Sequence, residues 1–346
     1  MSAAGKMSYV RLGNSGLKVS RIILGCMQYG SKGWQDWVIE DEQEVTKHIK
    51  YAYENGITTF DTANVYSNGF SEVLLGKAIK NLGLPREELV IMTKLFAPVA
   101  PEYSMNLMGG GKTPEEVGII NQRGLNRKHI FESVKRSLER LQLDYIDVLQ
   151  CHRFDPTTPI EETMQALHDV VKAGYVRYLG MSSCWAYQFH QMQNYAINNK
   201  LTPFISMQNH YSLIYREEER EMFPTLKLFG VGSIPWSPLA RGLLTRPVSA
   251  SSQRGKTDWF MGNYKGDAKE TIINRVEELS KKKGISMAQV AIAWVLSKEG
   301  VTAPIVGTTS LQNLEDILKG VHVTLTEEEI KYLEEPYQTQ SVIGHA

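Results

Sequence analysis

The sequence contains few cysteines and no excess of charge of either sign. Its 346 residues include three cysteines, and 38 Lys and Arg residues balance 38 Asp and Glu residues. Cys26, Cys151 and Cys184 form no C-x-x-C pair, which indicates reduced thiols and not a disulfide framework. A net charge of zero leaves no electrostatic attraction for a nucleic-acid backbone or an anionic membrane. We therefore expect neither as a partner.

Several common motifs are also missing. No apolar run approaches the ~20 residues of a membrane span, and the first residues lack the apolar stretch of a signal peptide, so we expect a cytoplasmic protein. The absence of G-x-G-x-x-G, H-E-x-x-H and Cys/His ligand spacings argues against a Rossmann nucleotide site and against a metal site. The run Gly109 to Thr113 looks like the end of a P-loop, but Asn106 stands where that motif needs glycine.

Strand-like and helical patterns alternate along the whole chain, which is typical of an α/β protein with a parallel sheet. After a hairpin within residues 1–20, strands are predicted near Ile22, Thr59, Val90, Ile146, Tyr178, Ile205, Gly232 and Pro304. Helices are predicted at about 42–55, 71–82, 127–141, 160–173, 187–199, 217–229, 288–298 and 310–319. Because the predicted strands number eight, we expect residues 1–346 to form a single (β/α)8 TIM barrel.

Two segments are longer than the roughly 2–6 residues usual for a connection between a strand and a helix. Residues 96–126 follow the third predicted strand, and residues 239–267 follow the seventh. Both would lie on the face of the barrel that carries the active site, where long loops usually form lids or pocket walls. A disordered insertion is the alternative.

Four titratable residues fall at or just beyond the ends of predicted strands. Asp61 ends the run GITTFD, Tyr66 lies in the loop beyond it, Lys94 ends LVIMTK, and His152 ends YIDVLQCH. Each residue alone has an ordinary structural explanation, such as capping a turn or packing. A lysine at the end of an apolar strand is costly, however, unless a carboxylate pairs with it. We therefore predict one active site in which Asp61 pairs with Lys94.

The chemistry of such a set follows from proton affinities. A free tyrosine titrates near ~10, and a neighbouring ammonium group stabilises the phenolate form. Lys94 would activate Tyr66, while His152 would orient a bound carbonyl oxygen and stabilise the charge that develops on it. This arrangement predicts a site that protonates an alkoxide.

The four residues, together with RLGNSGLKVSRIILGCMQYG, DTANVYSNGFSEVLLGKAI and WSPLARGLLT, resemble the aldo-keto reductase superfamily. The resemblance extends from about Val10 to about Val323, and it is greatest to the fungal aryl-alcohol dehydrogenase and polyketide-reductase branch. It implies that Asp61, Tyr66, Lys94 and His152 are the catalytic tetrad. It also implies that a bound nicotinamide cofactor supplies hydride.

The resemblance further implies where that cofactor binds, and the local residue types agree. Ser182, Ser183 and Gln208 would contact the carboxamide, and Trp236 would stack on the nicotinamide ring. Arg254 and Lys256 would meet a 2′-phosphate, which favours NADPH over NADH. The other cofactor contacts are predicted at Gly25, Met27, Ser237, Pro238, Leu239, Arg241, Gly242, Leu244, Gly307, Thr309, Asn313 and Asp316.

Bulky apolar residues in the predicted loops suggest an aromatic slot for the substrate. These are Trp34, Trp37, Phe96, Met108 and Trp185, with ordinary loop packing as the alternative. An aryl aldehyde or a planar polyketide-like ketone would fit such a slot, in either the reductive or the oxidative direction. The alternative functions are an NADPH-binding, redox-sensing subunit similar to potassium-channel β subunits and an aldolase-like barrel with Lys94 as Schiff base. The sequence does not indicate an oligomeric state.

Overall fold

The chain begins with a short antiparallel hairpin. In the computed structural model, which describes residues 7–107, 112–250, 252–266 and 268–345, strand β1 (Tyr9–Arg11) pairs with β2 (Lys18–Ser20). Tyr9 lies opposite Ser20, and Arg11 lies opposite Lys18. The side chain of Arg11 closes the turn by donating to the carbonyl oxygens of Asn14 and Ser15. The hairpin expected from the sequence is confirmed.

A single eight-stranded sheet follows in the order β10-β3-β4-β5-β6-β7-β8-β9. Its strands are β3 (Ile23–Gly25), β4 (Thr59–Asp61), β5 (Val90–Leu95), β6 (Ile146–Cys151), β7 (Val176–Ser182), β8 (Phe204–Gln208), β9 (Gly232–Ser233) and β10 (Ile305–Val306). The registered pairs from β3 to β7 are parallel, and parallel bridges join Ser233 to Val301 and Trp236 to Ile305. This order is that of a (β/α)8 barrel, as predicted.

Helices separate the strands. Within the described residues they are α1 (Glu42–Glu54), α2 (Phe70–Leu82), α3 (Arg127–Leu141), α4 (Ile160–Lys172), α5 (Ala186–Asn198), α6 (Met222–Phe229), α7 (Gln253–Thr257), α8 (Ala268–Lys283), α9 (Met287–Ser297), α10 (Leu311–Lys319) and α11 (Glu327–Glu334). Eight were predicted within a few residues of their bounds, although α6 begins at Met222 and not at residue 217. Helices α7, α8 and α11 were not predicted.

Polar caps fix where several of these helices begin. Asp41 accepts a hydrogen bond from the amide of Glu44 at the start of α1, and Asn126 accepts one from His129 at the start of α3. Thr326 and Glu329 form a capping box at the start of α11. Each such cap satisfies an amide that the first helical turn leaves without a partner, and it is worth about 1 kcal/mol.

The chain divides into two compact units. One unit comprises Leu24–Met207 together with His345, and side chains such as Phe60, Ile91, Leu149 and Phe189 are fully buried. The other comprises Met1–Ile23 and Gln208–Gly344, and its described part buries Trp294 completely, with the indole nitrogen donating to Glu334 at 2.8 Å. Organisation as a single domain remains a prediction.

The two long connections predicted from the sequence contain little regular structure. Between β5 and α3, the described residues form one short 3₁₀ turn, Glu115–Val117. Residues 239–266, excluding residue 251, form the turn Ala240–Thr245, the short helix α7 and the turn Trp259–Asn263. Their role as lids or pocket walls remains a prediction.

Two features are absent from the described part of the chain. No helix there combines the length and the apolar character that crossing a bilayer requires. No group of three or more His, Cys, Asp or Glu side chains in residues 7–107, 112–250, 252–266 and 268–345 is arranged to hold a metal ion.

Candidate active site

A buried ion pair lies where β4 and β5 end. Asp61 is the last residue of β4, and Lys94 lies next to the end of β5. The Lys94 ammonium donates to Asp61 Oδ2 at 2.6 Å and to the backbone carbonyl of Thr62 at 2.7 Å. Lys94 is fully buried, and Asp61 is 2% exposed. The structure therefore forms the pair that the sequence predicted.

This pair keeps Lys94 charged. Burial by itself lowers the pKa of Lys94, but the Asp61 carboxylate and Tyr66 raise it, and the net result lies above the ordinary value for lysine. An opposite charge within hydrogen-bonding distance favours the charged form more than burial disfavours it. An ammonium group is therefore present here at neutral pH.

Tyr66 lies in the turn that follows β4, and its hydroxyl is 3.2 Å from the Lys94 ammonium nitrogen. The turn is unusual because Ser67 and Asn68, with φ of 47° and 52°, both adopt left-handed conformations. Ser67 Oγ accepts a hydrogen bond from the amide of Ser31 at 3.0 Å. The first long loop is attached through Asn68, whose amide nitrogen donates to the carbonyls of Glu102 and Met105.

His152 directly follows β6 and lies against Tyr66. Its backbone amide donates to the carbonyl of Leu95, and its ring meets the ring of Tyr66 edge-on, with 5.9 Å between centroids. Burial lowers the pKa of His152 well below its ordinary value, and the charges of Arg153 and Lys94 lower it further. The imidazole is therefore neutral at pH 7. Its ring nitrogens make no hydrogen bond to any described residue.

Two neighbours of this site were not predicted from the sequence. Gln150 donates from Nε2 to Asp61 Oδ1 at 2.8 Å, so both carboxylate oxygens of Asp61 accept hydrogen bonds. Arg153 donates to the carbonyl of His152 at 2.5 Å. Gln150 had a signal in the sequence: it is a polar residue in an apolar strand, two positions before His152 and hence on the same face of that strand.

The predicted substrate residues differ in how closely they approach Tyr66. The ring of Trp34 is 6.4 Å from that of Tyr66 between centroids, and Trp34 is 5% exposed. Trp185 is 41% exposed and meets the ring of His345 edge-on. Trp37 and Phe96 are half-buried in their loops. Met108 lies outside the described residues.

The predicted cofactor residues fall in both units. Gly25, Met27, Ser182 and Ser183 belong to the unit that contains Asp61, Tyr66, Lys94 and His152, and both serines are buried. Gln208 and the segment from Trp236 onwards belong to the other unit. There, Trp236 stacks on His210 at 4.2 Å, and the turn after it bends through positive φ at Ser237, Ala240, Arg241 and Gly242. This turn includes the predicted residues Pro238 and Leu239, and Leu244 follows it.

A cavity of about 260 Å³ lies beside this turn. It is lined by Gly242 and Ser252 and by the cationic side chains of Arg241, Arg246, Lys256 and Lys269, with Glu270 as the single acidic residue. Next to it, Asp258 accepts from Arg241 at 2.5 Å and from Arg254 at 2.9 Å. Asp258 thereby ties two of the predicted cofactor residues together.

The last predicted cofactor segment precedes and opens helix α10. Gly307, Thr309 and Asn313 are exposed, and Ser310 caps the helix by accepting from the amide of Asn313. The carboxylate of Asp316 accepts from Ser286 at 2.6 Å and from Gln289 at 2.7 Å. Asp316 therefore already has partners within its own unit.

Comparison with known proteins identifies the family. A model of the aldo/keto reductase family matches residues 21–338. A Schizosaccharomyces pombe protein provisionally named aryl-alcohol dehydrogenase is 51% identical over 346 residues, covering 97% of this chain and 97% of that protein. Versiconal hemiacetal acetate reductase of Aspergillus parasiticus is 49% identical over 341 residues, covering 97% and 98%. The chain therefore belongs to the aldo/keto reductase family.

Family membership determines the class of reaction. The protein is an oxidoreductase that reduces carbonyl groups of small molecules, and enzymes of this family use nicotinamide cofactors. A Saccharomyces cerevisiae relative that is 49% identical over 336 residues, covering 96% of this chain and 97% of the relative, is also provisionally named aryl-alcohol dehydrogenase. The resemblance to the fungal branch is confirmed, and the alternative of a redox-sensing binding subunit is not favoured.

Proposed function

We propose that the protein reduces an aryl or polyketide-like aldehyde or ketone to its alcohol with NADPH, and that it catalyses the reverse oxidation through the same residues. The observation that carries this proposal is the Lys94 ammonium, which is buried between the Asp61 carboxylate and the Tyr66 hydroxyl. A charged lysine in contact with a tyrosine hydroxyl is suited to proton transfer at that oxygen.

Tyr66 is the general acid in this scheme. As negative charge develops on the carbonyl oxygen, Tyr66 Oη gives up its proton, and the Lys94 ammonium at 3.2 Å stabilises the resulting phenolate. Asp61 holds Lys94 in place, and Gln150 in turn holds Asp61. In the oxidative direction Tyr66 acts as the base.

His152 orients the carbonyl group. Because its imidazole is neutral, one ring nitrogen carries a proton that can be donated to the carbonyl oxygen. The ring of Tyr66 is adjacent, so a single oxygen can approach both side chains. A charged imidazolium here would compete with Tyr66 as the proton donor, and burial prevents it.

The residues present fit a phosphate-bearing dinucleotide. The cavity beside Gly242 is lined by four cationic side chains, those of Arg241, Arg246, Lys256 and Lys269, and positive charge suits the phosphates of such a ligand. Arg254 and Lys256 belong to the same segment and support NADPH over NADH. When bound, NADPH would supply the hydride to the carbonyl carbon.

Aromatic packing supports an aryl or planar substrate. Trp34 is held beside Tyr66 and would form one wall of the substrate site. The names of the relatives, aryl-alcohol dehydrogenase and versiconal hemiacetal acetate reductase, agree with bulky substrates. We also propose a cytoplasmic location, because Cys26, Cys151 and Cys184 are buried and form no disulfide, as is usual in a reducing compartment.

The direct test measures the loss of NADPH absorbance with the purified protein and a panel of aryl, aliphatic and sugar aldehydes. We expect aryl aldehydes to have the highest kcat/KM and NADPH to be preferred over NADH. If NADPH binds tightly but no aldehyde or ketone in the panel is reduced, the proposal is wrong. If sugar aldehydes are preferred, the substrate class is wrong and the reaction class stands.

A further inference from the structure

A second cation lies at the active site and has no part in the mechanism above. Arg153 follows His152 directly and donates from Nη1 to the His152 carbonyl at 2.5 Å. Its side chain is half-buried. The guanidinium is thus hydrogen-bonded to the backbone of His152, and the ring of His152 is in edge contact with that of Tyr66, so Arg153 is next in line to the two side chains that would receive a carbonyl oxygen.

Nearby carboxylates do not neutralise Arg153. Asp155 is close in sequence, but its Oδ1 accepts from Thr157, and its Oδ2 accepts from Leu125 and Thr158. Asp61 is occupied by Lys94 and Gln150. Among residues 7–107, 112–250, 252–266 and 268–345, Arg153 forms no ion pair, and the carbonyl of His152 is its one hydrogen-bond acceptor. Within this described part of the chain, Lys94 has a counter-ion and Arg153 does not.

The pKa shifts of Arg153 and His152 agree with a location of Arg153 close to Tyr66 and His152. Burial lowers the pKa of Arg153, and the phenolic oxygen of Tyr66 and the thiol of Cys184 oppose that effect. Arg153 in turn helps to lower the pKa of His152. A guanidinium has five donors in a planar fork that matches two anionic oxygens, so most of its hydrogen-bonding capacity is unused here.

We propose that Arg153 binds an anionic oxygen of the substrate, so that the preferred substrates are carbonyl compounds that also carry a carboxylate or an ionised phenol. This inference rests on the proposed carbonyl reduction and adds the charge of the substrate to it. Arg153 is a specificity-determining residue. The unpaired positive charge at the site is neutralised when such a substrate binds, and a neutral substrate of the same shape gains no such contact.

The test compares matched substrates that differ in charge. Purified protein with saturating NADPH is assayed with meta- and para-carboxybenzaldehyde and with their methyl esters. The variants are Arg153→Gln, which removes the charge, and Arg153→Lys, which keeps it without the fork. Lys135→Gln is the control, because Lys135 is exposed on α3 and its loss changes the net charge equally.

We expect the wild type to have a higher kcat/KM for at least one of the two carboxylates than for its methyl ester. Arg153→Gln should lower kcat/KM for that carboxylate by about 10–100-fold, mainly through KM, and should lower kcat/KM for the ester by much less, so that the preference for the carboxylate is lost. For Arg153→Lys, kcat/KM for the carboxylate should lie between the values of the wild type and Arg153→Gln. For Lys135→Gln it should equal the wild-type value. Equal losses for carboxylate and ester would overturn the inference, because Arg153 would then act only by positioning His152. An increased Kd for NADPH in Arg153→Gln would also overturn it.

A binding measurement separates this inference from the proposed function. Benzoate binding to the NADPH-loaded protein is followed by calorimetry, which needs no turnover. If no aldehyde is reduced but benzoate binds and Arg153→Gln abolishes the binding, carbonyl reduction fails and the anion site stands. If aldehydes are reduced and benzoate binds the wild type and Arg153→Gln equally, the anion site fails and carbonyl reduction stands.

Discussion

Replacing Asp61 with asparagine should leave a buried lysine without its counter-ion. Lys94 is fully buried, and its ammonium donates to Asp61 Oδ2 at 2.6 Å. Asparagine has nearly the same shape, and its carbonyl oxygen can still accept from Gln150. In that orientation its NH₂ faces the Lys94 ammonium, and in the reverse orientation it faces the Gln150 NH₂, so that two donors meet either way. The substitution therefore removes charge and hydrogen bonding with little change in packing.

The expected loss of stability is large. Removing one partner of a buried ion pair costs about 3–5 kcal/mol, because the remaining charge is left uncompensated. The alternative is deprotonation of Lys94, which costs about 5 kcal/mol at pH 7 for a lysine that titrates near ~10.4. Both routes lead to a similar loss, so we expect Asp61→Asn to lower the free energy of unfolding by about 3–5 kcal/mol at pH 7.

The loss should also depend on pH in a specific direction. In the wild type, the pKa of Lys94 is raised on folding, so its contribution is fully present below the unfolded pKa and is lost only as pH rises through the folded pKa. In Asp61→Asn the carboxylate no longer opposes the effect of burial, so we expect the second route, in which Lys94 is neutral in the folded state. Unfolding then takes up a proton, so the stability of the variant rises with pH by up to about 1.4 kcal/mol per unit below ~10.4.

Urea unfolding at pH 7, 8 and 9 gives the free energy of unfolding of the variant and of the wild type. The amount by which the variant's value is lower is its stability deficit. The control is Asp147→Asn, which breaks the ion pair between Asp147 Oδ2 and Arg86 at 2.7 Å. Arginine keeps its charge throughout this range, so the deficit of the control should not change with pH. The deficit of Asp61→Asn should narrow by up to about 3 kcal/mol over two pH units. A deficit that is constant or grows with pH would refute the reasoning.

Three further predictions concern other parts of the chain. Gly76→Ala should destabilise the protein by about 1–3 kcal/mol in urea unfolding, because a Cβ on α2 would lie 2.3 Å from the carbonyl oxygen of Leu141; unchanged stability would contradict this packing. Asp258→Asn should speed limited proteolysis within residues 239–266, because Arg241 and Arg254 lose the carboxylate they share, and a rate equal to that of the wild type would show that the ion pairs do not order the segment. Arg254→Ala should raise the Kd for NADPH but hardly that for NADH, and equal changes for both cofactors would place the 2′-phosphate elsewhere.

The pairing of Lys94 with Asp61 was predictable from the sequence, because burying a lysine without a carboxylate partner is energetically costly. A lysine ending an apolar strand requires a carboxylate, and Asp61 at the end of the preceding strand is the nearest one in a parallel sheet. Strand ends define one edge of the sheet, so residues far apart in sequence are brought together there. The same reasoning gave the position of Tyr66 beyond β4.

Other parts of the site depend on conformations that the sequence pattern does not reveal. Asn68 holds the first long loop through three hydrogen bonds from a left-handed turn. Asparagine adopts this conformation more often than most residues, but Ser67 adopts it too, and the sequence does not show which loop Asn68 contacts. Arg153 had no signal in the sequence, because an arginine in a loop is usually exposed. Its contact with the backbone of His152 depends on the conformation of the loop after β6.

Two of the missed helices did have signals. Helix α8 buries Ile272, Ile273, Val276 and Leu279, a spacing that fits one helical face and could have been recognised in the sequence. Helix α11 begins with Thr326 and has glutamate three residues later, which is the pattern of a capping box. Both helices are additional to the regular alternation of eight strands and eight helices in a barrel, so that alternation does not predict them.

The most direct test of the central claim is Tyr66→Phe. Phenylalanine keeps the ring that packs against Trp34 and His152 and removes only the hydroxyl that contacts Lys94. Fluorescence titration measures NADPH binding, and the loss of NADPH absorbance with an aryl aldehyde measures reduction. We predict a Kd for NADPH within about twofold of the wild type and a rate of reduction lower by about 10²–10⁴-fold. Reduction at the wild-type rate, with NADPH still bound, would contradict the assignment of Tyr66 as the proton donor.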